Sequence, residues 1–148
     1  IVNNMFSNVS YQSDELTWGV EDYHATPFEM LVKGAGDCED FAYAKMITLL
    51  SLGFNLEDMS LKYVTVNSAG KAIAHMVLVV HSKLGSYVLD NLKKDVYLLK
   101  DSSFIDSKYE FDLVRLKVYN QDPYQQYTMI GNSSQFTSWR NKFLGIDK

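Results

Sequence analysis

The pattern of apolar and polar positions divides the chain into helix-like segments up to residue 53 and strand-like segments after it. The most apolar helical stretch is 38–52, where Phe41, Ala42, Met46, Ile47, Leu49, Leu50 and Leu52 cover most of the circumference. Its polar arc holds Asp40, Lys45, Thr48 and Ser51. A helix apolar over so much of its surface is expected to have other elements on more than one side. Asp37 is its predicted N-cap, Cys38, Glu39 and Asp40 its first three residues, and Gly53 its C′ residue. Upstream, Thr26-Pro27-Phe28-Glu29 reads as a helix start, with Thr as N-cap, Pro at N1 and Glu closing a capping box, and Gly34 as its end. A short helix is also expected within 2–9, and Trp18-Gly19-Val20 is expected to pack on the core.

Beyond Gly53 the period shortens. Residues 61–67 alternate with β-branched and aromatic side chains and predict a strand, followed by a turn at 68–71. Residues 75–81 are apolar on both faces, as in a central strand, and 86–91 form the next strand after a turn at 82–85. A short strand is expected at 97–100 and a half-exposed antiparallel one at 112–119. The polar segment 120–134 reads as a surface loop, and Ser134 as the cap of a last helix with Phe136, Trp139, Arg140 and Phe143 on one face. Helices first, then an antiparallel sheet, then a helix make an α+β domain, and 148 residues are enough for one such domain.

Composition narrows the function classes. Apolar residues make up 47% and charged ones 22%, which excludes a disordered chain. The net charge of −4, with basic residues scattered, points away from nucleic acid and anionic membranes. No run approaches the ~18 apolar residues needed to cross a bilayer. The chain opens at Ile1 without a recognisable signal peptide, and the expectation is that one has been removed.

The single cysteine, Cys38, stands in the first turn of the most apolar helix. Unpaired N–H groups and the helix dipole favour an anion there, so that position suits a nucleophilic thiolate. A cysteine nucleophile needs a base, and the base needs a group to orient it. His75 begins the central strand, and Asp90 interrupts the apolar run of the next one. A hairpin turning at 82–85 brings the two opposite or nearly opposite, within reach of one another. His24 and His81 have no comparably placed acid and read as structural or surface residues. The same cysteine, histidine and aspartate, present but misaligned, would leave a non-catalytic peptide-binding module as the other reading.

Gly34-Ala35-Gly36-Asp37-Cys38-Glu39-Asp40-Phe41-Ala42, Ala74-His75-Met76-Val77-Leu78 and Val88-Leu89-Asp90-Asn91-Leu92 together resemble the bacterial transglutaminase-like cysteine proteinases, and within them the LapG type. The stretch from Trp18 to Pro27 is similar to the region before the nucleophile in that family. The resemblance implies a papain-like, transglutaminase-type core, with the Cys helix packed on an antiparallel sheet. It implies Cys38 as nucleophile, His75 as general base and acid, and Asp90 as its orienting group, while transfer to an amine on the same triad remains open. It also implies a periplasmic protease that cuts a biofilm adhesin near its N-terminus at a paired-alanine site. Sequestration by an inner-membrane receptor for cyclic di-GMP is implied as well. Calcium dependence is the last implication, through Asp37, Glu39 and Asp40. Trp18 is a second candidate oxyanion donor beside the Cys38 backbone N–H.

Overall fold

The computed structural model describes residues 1–23, 25–111, 116–119 and 127–130. The helices are α1 (Asp14–Trp18), α2 (Pro27–Lys33) and α3 (Cys38–Ser51). The strands are β1 (Ser10–Tyr11), β2 (Ala35–Gly36), β3 (Met59–Ser68), β4 (Lys71–Ser82), β5 (Gly85–Leu89), β6 (Tyr97–Leu98), β7 (Asp106–Phe111), β8 (Leu116–Tyr119) and β9 (Tyr127–Ile130). β3 to β9 form a seven-stranded sheet in the order β6-β5-β4-β3-β7-β8-β9, with every pair antiparallel. The short strands β1 and β2 pair in parallel on their own.

The capping signals act as the sequence predicts. Thr26 and Glu29 close a reciprocal capping box at α2, and Gly34 ends that helix in the left-handed region at φ 68°. Asp37 caps α3 by accepting from the N–H groups of Glu39 and Asp40, while the Asp40 side chain accepts from the Asp37 N–H. One face of α3, with Ala42, Tyr43, Met46 and Leu49, packs on Met59, Leu61, Met76, Leu78 and Leu89 of the sheet. Its other side carries Phe41 and Ala44, which meet Phe6 and Met30. The far side of the sheet is closed by Val77, Val79 and Val88 under Tyr97, Leu99 and Phe104. The Cys-bearing helix is therefore a middle layer, fixed from both sides.

Several expectations need correction. The segment 2–9 holds only a 3-10 turn, Val2–Asn4. The segment read as a surface loop contains β9, which extends the sheet beyond β8. Asp40 and Lys45, placed on a polar arc by the sequence, are 2% and 1% exposed. β7 and α1 were not anticipated from the pattern. The expected helix after Ser134 and residues 112–115 of the expected strand lie outside the described residues.

Gly36 shows how tightly the approach to α3 is built. A Cβ there would stand 3.0 Å from the Asp40 Cβ and 3.0 Å from the Met30 Cγ and Sδ. Gly36→Ala should therefore cost about 1–3 kcal/mol through overpacking. A fall of several degrees in Tm is expected on thermal melting; an unchanged Tm would show that this corner can yield.

Candidate functional site

β2 leads directly into α3, and β1 lies beside it with Tyr11 in register with Gly36. That pairing holds the residue before the cap, and Asp37 then turns the chain so that Cys38 is the first helical residue. The thiol is half-buried. β5 stops at Leu89 opposite Leu78, so the edge of β4 at Met76 has no strand partner on that side. The Met76 N–H turns instead to the Cys38 sulfur. The tip of α3 thus sits against the strand that carries His75, one residue away.

His75 is buried, and its Nε2 lies 2.8 Å from the Asp90 Oδ1. The two are not directly opposed: continuing the Leu78–Leu89 register puts Asp90 beside Val77, two residues from His75 on the same face. They meet as diagonal neighbours, at the point where β5 gives way to a loop. The Asp90 carboxylate also accepts from the Leu92 N–H at 2.9 Å and the Tyr97 hydroxyl at 3.0 Å. Burial pushes its pKa up, but the hydrogen bonds from His75 and Leu92 outweigh it and hold the carboxyl below its usual range. With Nε2 committed to Asp90, Nδ1 is the ring nitrogen left for other chemistry.

The electrostatics at Cys38 run against a thiolate. Burial, then the Asp37 charge, pushes the thiol up to about 12, against the pull of the Met76 and Glu39 N–H groups. Tyr11 shares this environment: burial and the nearby Cys38 and Asp37 charges push its phenol up to about 12, and its hydroxyl hydrogen-bonds with Cys38.

The acids beside Cys38 are crowded. Burial and mutual repulsion push Asp37 up to about 6, Asp40 up to about 7 and Glu39 up to about 8. Carboxylate oxygens of Asp14, Asp37 and Asp40 lie within 4.8 Å of one another. The Asp40 Oδ1 is buried without a hydrogen-bond partner. The cap uses the other oxygen of Asp40, so capping alone leaves this atom unexplained. A hard cation fits the trio, since clustered carboxylates are its preferred donors. Of the expected ligands, Asp37 and Asp40 stand in the trio and Glu39 stands outside it, with Asp14 from the start of α1 as the third member. Asp14 stands 24 positions before Cys38 in the sequence; folding brings it in through α1, which no local pattern announces. Its Oδ2 accepts from the Tyr23 N–H at 2.7 Å.

Trp18 ends α1, stacks on Tyr23 with ring centroids 4.3 Å apart, and carries the Lys33 ammonium 4.9 Å from its ring centre. Its indole N–H is buried without a partner. His81 does have an acid partner, against the expectation: its Nε2 lies 3.0 Å from the Glu110 Oε1, and its Nδ1 lies 2.9 Å from the Ser86 hydroxyl. His24 lies outside the described residues.

The family profile described as bacterial transglutaminase-like cysteine proteinase matches residues 1–134. Among solved structures, calcium-bound Legionella pneumophila LapG is 26% identical with a TM-score of 0.75, covering 97% of this chain and 76% of that one. EGTA-treated Legionella pneumophila LapG is also 26% identical, with a TM-score of 0.76 over 99% of this chain and 76% of that one. No curated protein sequence matches.

The acid cluster makes a pH prediction for the cation-free protein. Asp37, Glu39 and Asp40 all have folded pKa values above their unfolded ones. Between about pH 4 and pH 8 the folded chain then binds more protons than the unfolded chain, so stability falls as pH rises. In chelator, Tm should drop across that window, and Asp37→Asn should flatten the drop. A Tm that holds level or climbs would show that the acids do not repel one another as their spacing implies.

Proposed function

This chain belongs to the bacterial transglutaminase-like cysteine proteinases, and we propose that it is a calcium-dependent cysteine endopeptidase acting through Cys38, His75 and Asp90. The observation that carries the reading is the buried His75–Asp90 hydrogen bond of 2.8 Å, on the strand that meets the tip of the Cys38 helix. In this reading His75 Nδ1 takes the Cys38 proton as the sulfur attacks the scissile carbonyl carbon. The C–N bond then breaks, His75 returns the proton to the leaving amine, and a thioester to Cys38 remains. Water, deprotonated by His75, releases the acid and restores the thiol. Asp90 holds the imidazole in the tautomer that leaves Nδ1 free to accept, and stabilises the imidazolium that forms. The backbone N–H of Cys38 is one donor to the oxyanion, and the unpartnered Trp18 indole is the second.

Asp14, Asp37 and Asp40 would hold the calcium ion, with Glu39 adjacent, and the ion would supply positive charge beside a thiol that those acids otherwise discourage. That calcium-bound and EGTA-treated forms of Legionella pneumophila LapG share this fold supports the choice of metal. The substrate we propose is a surface adhesin, cut near its N-terminus at a paired-alanine site to release biofilm cells. The setting is the periplasm, with an inner-membrane receptor for cyclic di-GMP as the partner that withholds the enzyme. No helix among the described residues is long and apolar enough to cross a membrane, which is compatible with that setting.

Incubation with N-terminal adhesin fragments should give one cut with the wild type and none with Cys38→Ala or His75→Ala. Asp90→Asn should fold and lose roughly 10²- to 10⁴-fold in kcat. A folded His75→Ala protein with full activity would remove the triad. EGTA should abolish cleavage and lower Tm, and Ca²⁺ but not Mg²⁺ should restore both in wild type and neither in Asp37→Ala. Activity that survives chelation unchanged would return the acids to the role of a helix cap.

A further inference from the structure

Lys45 follows Cys38 by seven residues, two turns along the same face of α3 and about 10 Å down its axis. It is 1% exposed, and its one hydrogen-bond partner among the described residues is a neutral amide: Nζ donates to the Asn3 Oδ1 at 2.9 Å. Burying an ammonium is costly, and an amide oxygen repays less of that cost than a carboxylate would. Core packing alone is better served by an apolar side chain. The Asp90 charge favours the ammonium from across the cleft, but the hydrogen bond to Asn3 still calls for a reason of its own.

Asn3 supplies it. Its Nδ2 donates to the carbonyl oxygens of Lys93 and Lys94, at 2.9 and 3.1 Å. Those carbonyls belong to the loop that leaves β5 through Asp90 and returns at β6. Besides the bonds of Leu92 and Tyr97 to Asp90 and the Lys93 ammonium 4.3 Å from the Tyr97 ring centre, the loop has little to hold it. Leu92 and Val96 are 56% and 45% exposed, and a cleft of about 440 Å³ opens beside it, bordered by Asn3, Phe41, Lys45 and Asp90. Asp90 itself stands just past the end of β5, where strand pairing no longer fixes the backbone. Where apolar packing and ladder bonds are both missing, side-chain hydrogen bonds must set the geometry.

We infer that Lys45 and Asn3 are positioning residues for the cysteine chemistry, holding the loop that carries Asp90 and, through Asp90, the orientation of His75. Lys45 orients Asn3, Asn3 ties down the loop at residues 93 and 94, and the loop presents the carboxylate to the imidazole. The nucleophile and the support for its base thus come from one face of one helix. A 3-10 turn at the start of the described chain becomes part of the same device. The inference rests on the triad proposed above, and its test separates the two.

Asn3→Asp is the informative variant. It keeps an oxygen partner for Lys45, now as an ion pair, and removes both donors to the loop. The variant should fold with a Tm at or above that of wild type. Its kcat on the adhesin fragment should fall tenfold or more while KM stays within twofold. Independently of any activity, the protected Nε2–H proton resonance of His75, bonded to Asp90, should shift or broaden in its NMR spectrum. Lys45→Met should move kcat and the resonance in the same direction. Folded Asn3→Asp with wild-type kcat and an unmoved His75 resonance would overturn the inference. So would a variant that lost Tm alone, since that is the signature of a merely structural contact. If the wild type cleaved nothing, the proposed function would fall, and the His75 resonance would still decide the relay.

Discussion

One conflict of charge governs the molecule: the Cys38 thiol stands at a helix tip that favours an anion, beside carboxylates that oppose one. The dipole and N–H groups of α3 pull Cys38 towards the thiolate, and burial with the Asp37 charge pushes it the other way. The same acids cannot be spared, because Asp37 and Asp40 form the reciprocal cap that starts the helix. A cap and a charge cluster are thus built from the same two side chains. The Asp40 Oδ1, buried without a partner, marks what the cap leaves unsatisfied. A divalent cation would resolve the conflict without dismantling the cap.

The rest of the fold can be understood as support for that tip. α3 is a middle layer, gripped by the sheet on one side and by Phe6 and Met30 on the other, so its first turn cannot drift. The early end of β5 opens the edge of β4 at Met76, and the tip of α3 takes the place of the missing strand. That early end has a consequence for Asp90, which leaves the ladder where its position matters. Hydrogen bonds from Leu92, Tyr97 and His75 replace the ladder, and the Asn3 amide ties down the loop behind them.

The parts of the site that rest on local chemistry were legible in the sequence. A cysteine after a capping acid, a capping box at Thr26, and a histidine and aspartate on adjacent strands are patterns over a few residues each. What depends on long-range assembly was not. Asp14 enters the acid cluster only because α1 folds back onto the start of α3. Lys45 fell on the polar arc of α3, where helical periodicity gives no sign of a buried partner; that partner, Asn3, is 42 positions away. Tyr11 carries no motif in the sequence, and it reaches Cys38 through a two-residue parallel pairing too short to show a period. His75 and Asp90 were expected opposite or nearly opposite, and they meet diagonally, since a turn at 82–85 fixes register only to within a residue or two.

The most direct measurement is the rate of Cys38 alkylation by iodoacetamide as a function of pH, in calcium and in chelator. With calcium bound, the thiolate should form well below the free-cysteine value of about 8.5, and labelling should be fast at neutral pH. In chelator the profile should move to much higher pH, because the acids are no longer neutralised. Two superimposable profiles would contradict the claim that the carboxylates at the tip of α3 control the nucleophile.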